Sequence, residues 1–462
     1  MSTPDNVVNL KTLASDVRFA ERIVKSCKSI GKQNGIDLFA VPLIKSKESS
    51  TFAQRFSFGE TDRKEQMQHK TILIVGEIGS GKTTLIDCMI NYIFYVQRED
   101  KFRFQLSQQQ LDEWSETKIQ TSCITAYDIH HAEGFRIPYS LTIVDTPGYG
   151  NTEDISRDQE ITEMIRKFFE NKDGIQELDM IGFVVPAPLG RLTVIQRYIF
   201  DSVFSIFGND VKENINFLLT FADSQLPPVL NAITKFSLFY PTKPDTTYPV
   251  YHKFNKSSFF SNRVKYDVQF WGTVLENFKN FFDVLAKMNA KSLISTKQVL
   301  DEKKQLQVTV EGLQPLVEIT RAKMEELRII KMLISSRMFG NEKQATNIFH
   351  DIKTSDIIKL MYELELEKKL MAKELLETLE KDIEDNKKIV LGRVNTVSRC
   401  LEKLDEIALH PNPSSIADYF DLIISNEQQE HPDYMERIKI LKKLHQHTVI
   451  IMKVKNNQSL YS

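Results

Sequence analysis

The sequence predicts an α/β fold with a mostly parallel sheet flanked by helices, followed by an all-α, coiled-coil-like C-terminal half. Short apolar runs alternate with segments of helical period up to residue 290, which is the pattern of βαβ units. Beyond residue 290 the strand signals vanish and apolar residues repeat at heptad-like spacing. We therefore divide the chain into an N-terminal helix and polar connector (1–67), an α/β domain (68–290), a helical or coiled-coil region (291–410) and a C-terminal helical segment (411–462).

The composition is that of an ordinary soluble protein. Hydrophobic residues make up 41% of the chain and charged residues 26%, and the formal net charge is −2. This charge balance argues against a dedicated nucleic-acid binder. We expect a cytoplasmic location because the sequence shows no signal peptide, no membrane-spanning run and four scattered cysteines, which indicate reduced thiols. A basic amphipathic C-terminal segment leaves peripheral membrane association open, although a solvated helix face is favoured.

Each element of the first 290 residues has a local signal. An apolar stripe that starts at Phe19 predicts a helix over 15–31 with Gly31 as its stop, and the mostly polar residues 45–70 predict a connector. Buried strands are predicted at five apolar runs: 71–75, 140–148, 180–187, 215–223 and 248–254. Helices are predicted between and after them, at 82–96, 156–171, 192–207 and 266–288.

The C-terminal half predicts long helices. The first of them contains Pro315, which is expected to kink or split it. A second helix is predicted over 355–409, with an apolar seam interrupted by Asn386 and Arg393. Polar residues in such a seam fix its register. The seam is compatible with an intramolecular hairpin and with an intermolecular coiled coil to a protein partner.

The strongest motif is G-x-x-x-x-G-K-[ST] at residues 76–83, directly after the first predicted strand. A loop of this pattern wraps phosphate groups with its backbone N–H donors, and the N-terminus of the following helix favours negative charge. Lys82 is expected to reach the β- and γ-phosphates, and Thr83 to ligate Mg²⁺. The residues predicted to bind the phosphates are Gly76, Gly79, Ser80, Gly81, Lys82, Thr83 and Thr84.

Two further motifs end predicted strands. In the first, Asp145-Thr146-Pro147-Gly148, Asp145 is placed to hold Mg²⁺ through water, and the Gly148 N–H to bond the γ-phosphate. In the second, Thr220-Phe221-Ala222-Asp223, Asp223 can accept both N–H donors of a guanine edge, whereas adenine would leave the carboxylate unpaired. A plain Asp at the start of a loop is the alternative for Asp223.

Together these three motifs resemble the septin-like branch of the P-loop GTPases. The segment Leu189–Asp223 resembles the stretch before the base-reading motif of the immune-associated, GIMAP-type GTPases, and Phe254-Asn255-Lys256 resembles their element beside the base. The likeness covers residues 68–290. It implies GTP/GDP and Mg²⁺ as cofactors, Asn255 as a nucleotide contact and a homodimer formed through the G domain.

The resemblance also implies a threonine that ligates Mg²⁺ and acts with Lys82 in catalysis. The segment Cys123-Ile124-Thr125 resembles the corresponding family segment, so that Thr125 is the candidate. Thr121 and Ser122 compete for this role. A threonine on an exposed strand face is the other interpretation of Thr125.

The sequence departs from the usual GTPase pattern at two places. Thr220 and Phe221 stand where Asn and Lys are usual, and Phe221 is either a residue that stacks on the base or a core residue. Tyr149 stands where many small GTPases have a water-orienting glutamine. We therefore expect a GTP-binding switch with slow hydrolysis that controls dimerisation or partner binding through the helical half. An ATP-hydrolysing P-loop NTPase and a non-hydrolysing nucleotide-binding scaffold are the alternatives.

Overall fold

The computed structural model describes most of the chain. The described residues are 17–47, 49, 52–60, 67–106, 123–150, 157–171, 174–235, 240–243, 246–255, 257–260, 267–338, 369–410, 420–421, 424–425 and 434–461. The chain forms two compact units, Met1–Leu300 with Ile407–Arg437, and Asp301–Glu406 with Ile438–Ser462. The boundaries expected at residues 67, 290 and 410 stay predictions.

The first unit is built on an eight-stranded sheet. The strands among the described residues of the first unit are β1 Lys28–Gln33, β2 Ile36–Ala40, β3 Ile44–Lys45, β4 Ala53–Phe58, β5 His69–Gly76, β6 Phe102–Gln105, β7 Ile124–Ile129, β8 Ser140–Asp145, β9 Glu177–Leu178, β10 Met180–Pro186, β11 Ile215–Thr220, β12 Tyr251–Lys253 and β13 Lys291–Ser292. The main sheet has the order β12-β11-β10-β5-β8-β7-β4-β3. The β7–β8 and β3–β4 pairs are antiparallel, and the other neighbours are parallel.

Helices of the first unit pack on this sheet. The helices among the described residues of the chain are α1 Phe19–Ile23, α2 Lys82–Ile93, α3 Arg157–Glu170, α4 Val194–Phe204, α5 Val229–Lys235, α6 Ser257–Phe260, α7 Asp267–Lys287, α8 Ile294–Met338, α9 Lys369–Ile407 and α10 Tyr434–Lys455. On one face, α2 and α7 pack in a single apolar cluster with Ile72 and Ile74 of β5. In it Tyr92 stacks on Phe278 and Phe282, with ring centroids 5.5 and 5.3 Å away. The predicted α/β class, with a helix-rich C-terminal half, is confirmed.

The N-terminal helix is shorter than predicted. The α-helix ends at Ile23 and a 3-10 turn at Ser26, and the chain then enters a hairpin of β1 and β2. The hairpin turns at Asn34 and Gly35, both of which have positive φ, at 51° and 80°. Asn-Gly is the strongest short-range signal of a two-residue hairpin. The helix prediction over 28–31 is therefore wrong, and Gly31 lies within β1 rather than at a helix stop.

The predicted polar connector 45–70 contains a strand of the main sheet. Strand β4 pairs with β7 in parallel, with Ala53 opposite Ile124 and Phe58 opposite Ile129. Its polar Arg55 donates to Asp128 of β7 through Nε at 2.6 Å and Nη2 at 3.0 Å. The connector prediction is wrong for this stretch because the partner of its polar side chain is remote in sequence.

The long C-terminal helices pair with each other within the second unit. Pro315 lies inside α8 and does not split it. Ile330 of α8 is buried with Leu379 and Ile383 of α9, and Lys331 pairs with Glu380 at 2.6 Å. For this stretch of the seam the intramolecular pairing is therefore the one observed. Residues 355–368 of the predicted second helix lie outside the described residues. None of the helices in the described ranges is long and apolar enough to span a membrane.

A buried ion pair joins the start of β5 to Asp179, the residue just before β10. Lys70 Nζ lies 3.0 Å from Asp179 Oδ1, and these side chains are 6% and 5% exposed. The other carboxylate oxygen, Oδ2, accepts the Thr71 N–H at 2.8 Å.

We expect Asp179→Ala to lower the free energy of unfolding by about 3–5 kcal/mol, because it leaves the buried Lys70 ammonium group without its carboxylate and the Thr71 N–H without its acceptor. Urea unfolding at pH 7 measures the change. The matched control is Asp37→Ala, which removes an ion pair to the 69% exposed Lys32 and should cost less than about 1 kcal/mol. Equal losses in the two variants would contradict this account.

Candidate functional site

The predicted phosphate loop joins β5 to α2 and contacts β10 closely. A Cβ on Gly76 would lie 2.5 Å from the Val184 carbonyl oxygen, so no side chain fits there. Gly79 and Gly81 have φ of 75° and 93°, a left-handed backbone that glycine adopts without strain. The seven residues predicted to bind phosphates are thus placed as the motif requires, at a strand end and the N-terminus of a twelve-residue helix.

Lys82 folds back over its own loop. Its side chain is 7% exposed, and Nζ donates to the carbonyls of Gly76 and Glu77 at 3.1 and 2.9 Å. Burial lowers the pKa of Lys82 to about 8, although the carboxylates of Asp145 and Glu77 oppose that shift. The ammonium group is therefore held by neutral carbonyls, and an anion would stabilise its charged form.

An oxygen-rich corner lies beside this lysine. Thr83 Oγ1 donates to Asp145 Oδ2 at 3.3 Å, and Asp145 is 2% exposed. Thr125 stands directly opposite Asp145 in the antiparallel β7–β8 pair, so both side chains project to the same face. The structure brings these three predicted Mg²⁺ ligands into one neighbourhood.

Thr125 is buried rather than on an exposed strand face. Thr125 is 2% exposed, and its Oγ1 has no hydrogen-bond partner among the described residues. A buried hydroxyl without a partner is costly, so a ligand oxygen or cation is the natural complement. Its competitors Thr121 and Ser122 lie outside the described residues.

The segment Asp145–Gly148 is docked on the phosphate loop. A Cβ on Gly148 would lie 2.7 Å from Ile78 Cα. The next residue, Tyr149, donates its N–H to the Gly76 carbonyl at 3.1 Å and accepts the Ile78 N–H at 3.0 Å. The Tyr149 ring is fully buried, and its hydroxyl lies 3.4 Å from Thr162 Oγ1 in α3. This side chain is therefore committed to the core.

The predicted base-reading motif is anchored to the same loop. Thr220 Oγ1 donates to the Ser80 carbonyl at 2.7 Å. The Ala222 N–H donates to the Phe254 carbonyl at 3.1 Å, which places the motif beside the half-buried Asn255. Asp223 is exposed, and its Oδ1 accepts the N–H of Gln225 at 2.9 Å.

Phe221 is not a core residue. It is 44% exposed and its φ is +56°, which is a left-handed backbone at a non-glycine residue. The core interpretation of Phe221 is therefore wrong.

Sequence reasoning missed one contact at the site. Gln196 Nε2 of α4 donates to Glu77 Oε2 of the phosphate loop at 3.3 Å, and burial raises the pKa of Glu77. The signal for it was available: Thr193 and Gln196 form a capping box at the start of α4, which fixes Gln196 at the third helical position.

The residues present fit a nucleotide with Mg²⁺. Gly76 and Gly148 have no side chain where the phosphate loop contacts β10 and the Asp145–Gly148 segment. The buried Lys82 supplies positive charge. Thr83, Asp145 and Thr125 supply hard oxygen ligands of the kind Mg²⁺ prefers.

A family model and several solved structures are similar to part of this chain. A family model described as Septin matches residues 67–175. Similar solved structures include Toc33 from Arabidopsis thaliana in complex with GDP and Mg²⁺, at 15% identity, covering 48% of this chain and 87% of that chain, with a TM-score of 0.33. The G domain of the T. maritima FeoB iron transporter is 10% identical, covering 46% of this chain and 99% of that chain, with a TM-score of 0.22. No curated protein matches the chain.

Residues 67–175 are thus similar to a septin-type GTPase domain. This stretch contains the phosphate loop and the Asp145–Gly148 segment, and it ends before the predicted base-reading motif, Thr220–Asp223. The first unit has a P-loop GTPase fold, and the chain continues into a helix-rich half.

We expect GDP affinity to be flat below pH 8 and to fall roughly tenfold per pH unit above it. The free protein loses the Lys82 proton near pH 8, whereas bound phosphate raises the pKa and keeps the proton in place. Isothermal titration between pH 7 and 9 measures this slope. Lys82→Gln should bind GDP more weakly, and its GDP affinity should not show the tenfold fall per pH unit above pH 8. A fall as steep as that of the wild type would contradict the assignment to Lys82.

Proposed function

We propose that this protein is a GTP-binding switch with slow GTP hydrolysis, and that its nucleotide state acts on the helical C-terminal half. The observation that carries the proposal is the convergence of the phosphate loop, Asp145 and the base-reading motif. Thr83 bonds Asp145, and Thr220 bonds the Ser80 carbonyl, so all three predicted motifs meet at one loop.

Different residues of the chain would bind the phosphates, the Mg²⁺ ion and the base. Lys82 would hold the phosphates, because its buried charge gains most from an anionic partner. Thr83 and Asp145, with Thr125, would hold Mg²⁺, which supplies neutralisation of phosphate charge when bound. Asp223 would accept the N–H donors of guanine, and Asn255 would lie against the base.

Slow hydrolysis is supported by the position after Gly148. A water-orienting glutamine acts there in many GTPases, but this chain has Tyr149, whose ring is buried and whose hydroxyl lies near Thr162. Membership of the GIMAP-type branch, a G-domain homodimer and a coiled-coil protein partner are parts of the proposal that rest on the sequence resemblance and the seam. The cytoplasmic location rests on the sequence alone.

Helix α4 offers a route from the nucleotide to the C-terminal half. Near its start, Gln196 bonds Glu77 of the phosphate loop. Near its end, Asp201 Oδ1 lies 2.8 Å from His410 Nε2, and the Phe207 carbonyl just beyond it accepts the Leu409 N–H at 2.9 Å. Leu409 and His410 lie two and three residues after the end of α9, so a shift of α4 would act on the end of that helix.

We expect the wild type to bind Mg²⁺–GTP at least tenfold more tightly than Mg²⁺–ATP, and Asp223→Ala to abolish that preference. A tenfold ratio corresponds to about 1.4 kcal/mol. Equilibrium binding with product analysis on the same samples measures affinity and turnover together. Asp210→Ala, another exposed aspartate of this unit, is the control and should keep the preference.

Equal binding of both nucleotides, unchanged in Asp223→Ala, would replace the guanine assignment with a general NTPase. Bound nucleotide that is never turned over would favour the non-hydrolysing scaffold.

We expect His410→Gln to reduce the difference in hydrogen exchange at the end of α9 between the GDP and GTP-analogue states by at least half. Nucleotide affinity should stay within twofold, because His410 contacts Asp201 of α4 and not Gln196, which bonds the phosphate loop. His445→Gln in α10 serves as the control. An unchanged exchange difference in His410→Gln would overturn the role given to α4.

A further inference from the structure

We propose that Phe221 provides the face on which the nucleobase stacks, so that affinity for the base and selectivity for guanine come from different residues. The inference rests on the proposed function and names a residue that determines how the same site binds its base.

The backbone on both sides of Phe221 is fixed to the site. Thr220 before it bonds the Ser80 carbonyl of the phosphate loop, and the Thr220 carbonyl accepts the Ala187 N–H at 2.8 Å. Ala222 after it donates to the Phe254 carbonyl at 3.1 Å. Phe221 therefore stands between the phosphate loop and the element that carries Asn255.

The side chain at this fixed point is turned toward solvent. Thr220 and Ala222 are 2% and 4% exposed, whereas Phe221 between them is 44% exposed. A single exposed apolar side chain is common at protein surfaces, so it is the position of Phe221 between the phosphate loop and the element of Asn255 that makes its ring available to a nucleobase.

The backbone conformation is unusual for phenylalanine. A φ of +56° lies in the left-handed region, which glycine and asparagine populate readily and bulky residues avoid. Strained residues of this kind persist where the surroundings fix them, and they concentrate at ligand sites. The three flanking hydrogen bonds of Thr220 and Ala222 supply that fixation, which sets the backbone of Phe221, and so the position of its Cβ, before any ligand arrives.

Stacking and edge recognition are chemically separable. An aromatic ring binds the flat face of any base, because every base has a π-face. The carboxylate of Asp223, two residues further on, can accept only from donors in the plane of the base. Phe221 should therefore raise affinity for guanine and adenine nucleotides alike, and Asp223 should set the ratio between them.

The experiment measures Kd for Mg²⁺–GDP, Mg²⁺–ADP and Mg²⁺–tripolyphosphate in the full chain. Phe221→Ala should weaken both nucleotides roughly 5- to 150-fold, as base–aromatic stacking predicts. Their ratio should stay within twofold, and tripolyphosphate, which has no base, should bind as in the wild type. Phe221→Trp should restore affinity, and its added fluorescence should change on nucleotide binding.

Leu226→Ala is the matched control, because Leu226 is an exposed apolar residue of the same loop at 53% exposure. It should leave all three affinities unchanged. Equal effects of the two variants, or weaker tripolyphosphate binding in Phe221→Ala, would overturn the proposal. So would an effect confined to protein concentrations at which the chain self-associates, because Phe221 would then be a contact to a second copy.

Failure of this inference is distinguishable from failure of the proposed function. Wild-type protein that binds GDP no more tightly than tripolyphosphate would remove both. Wild-type protein that binds GDP through its base, together with an unaffected Phe221→Ala, would remove the stacking role alone.

Discussion

The close approach of β10 and the Asp145–Gly148 segment to the phosphate loop is the constraint on which the site depends. A Cβ on Gly76 would lie 2.5 Å from the Val184 carbonyl oxygen, and a Cβ on Gly148 would lie 2.7 Å from Ile78 Cα. Side chains at these two positions would force β10 and the Asp145–Gly148 segment away from the loop. Because the backbones touch, a movement in one segment cannot leave the other two in place.

This packing also sets the charge properties of the site. It removes water from Lys82, and the neutral carbonyls of Gly76 and Glu77 replace only part of what hydration supplied. An anion that contacts the Lys82 ammonium group would therefore stabilise its charged form strongly. The lowered pKa of Lys82 and the phosphate-binding role that we propose for it thus have the same cause, which is burial.

The sequence predicts those parts of the fold whose signals are local. Strand β5 is a continuous apolar run that ends in the glycine-rich loop, so its type and end were evident. The hairpin at Asn34-Gly35 was missed because an apolar stripe of helical period ran into it. Strand β4 was missed because Arg55 makes it appear polar, and only the remote Asp128 makes that arginine suitable for a sheet.

The phosphate end of the predicted site has a local sequence signal, whereas the base end depends on tertiary contacts. Phosphates are bound chiefly by backbone, so glycine spacing encodes that end and identifies it without a structure. The base is bound by side chains on a strand end, and different residues can meet its edge and its face. Phe221 can replace the usual residue if its backbone is fixed in a left-handed conformation, which Thr220 and Ala222 do through tertiary hydrogen bonds. The sequence left the core and stacking interpretations of Phe221 both open because a tetrapeptide does not reveal which way a strained residue faces.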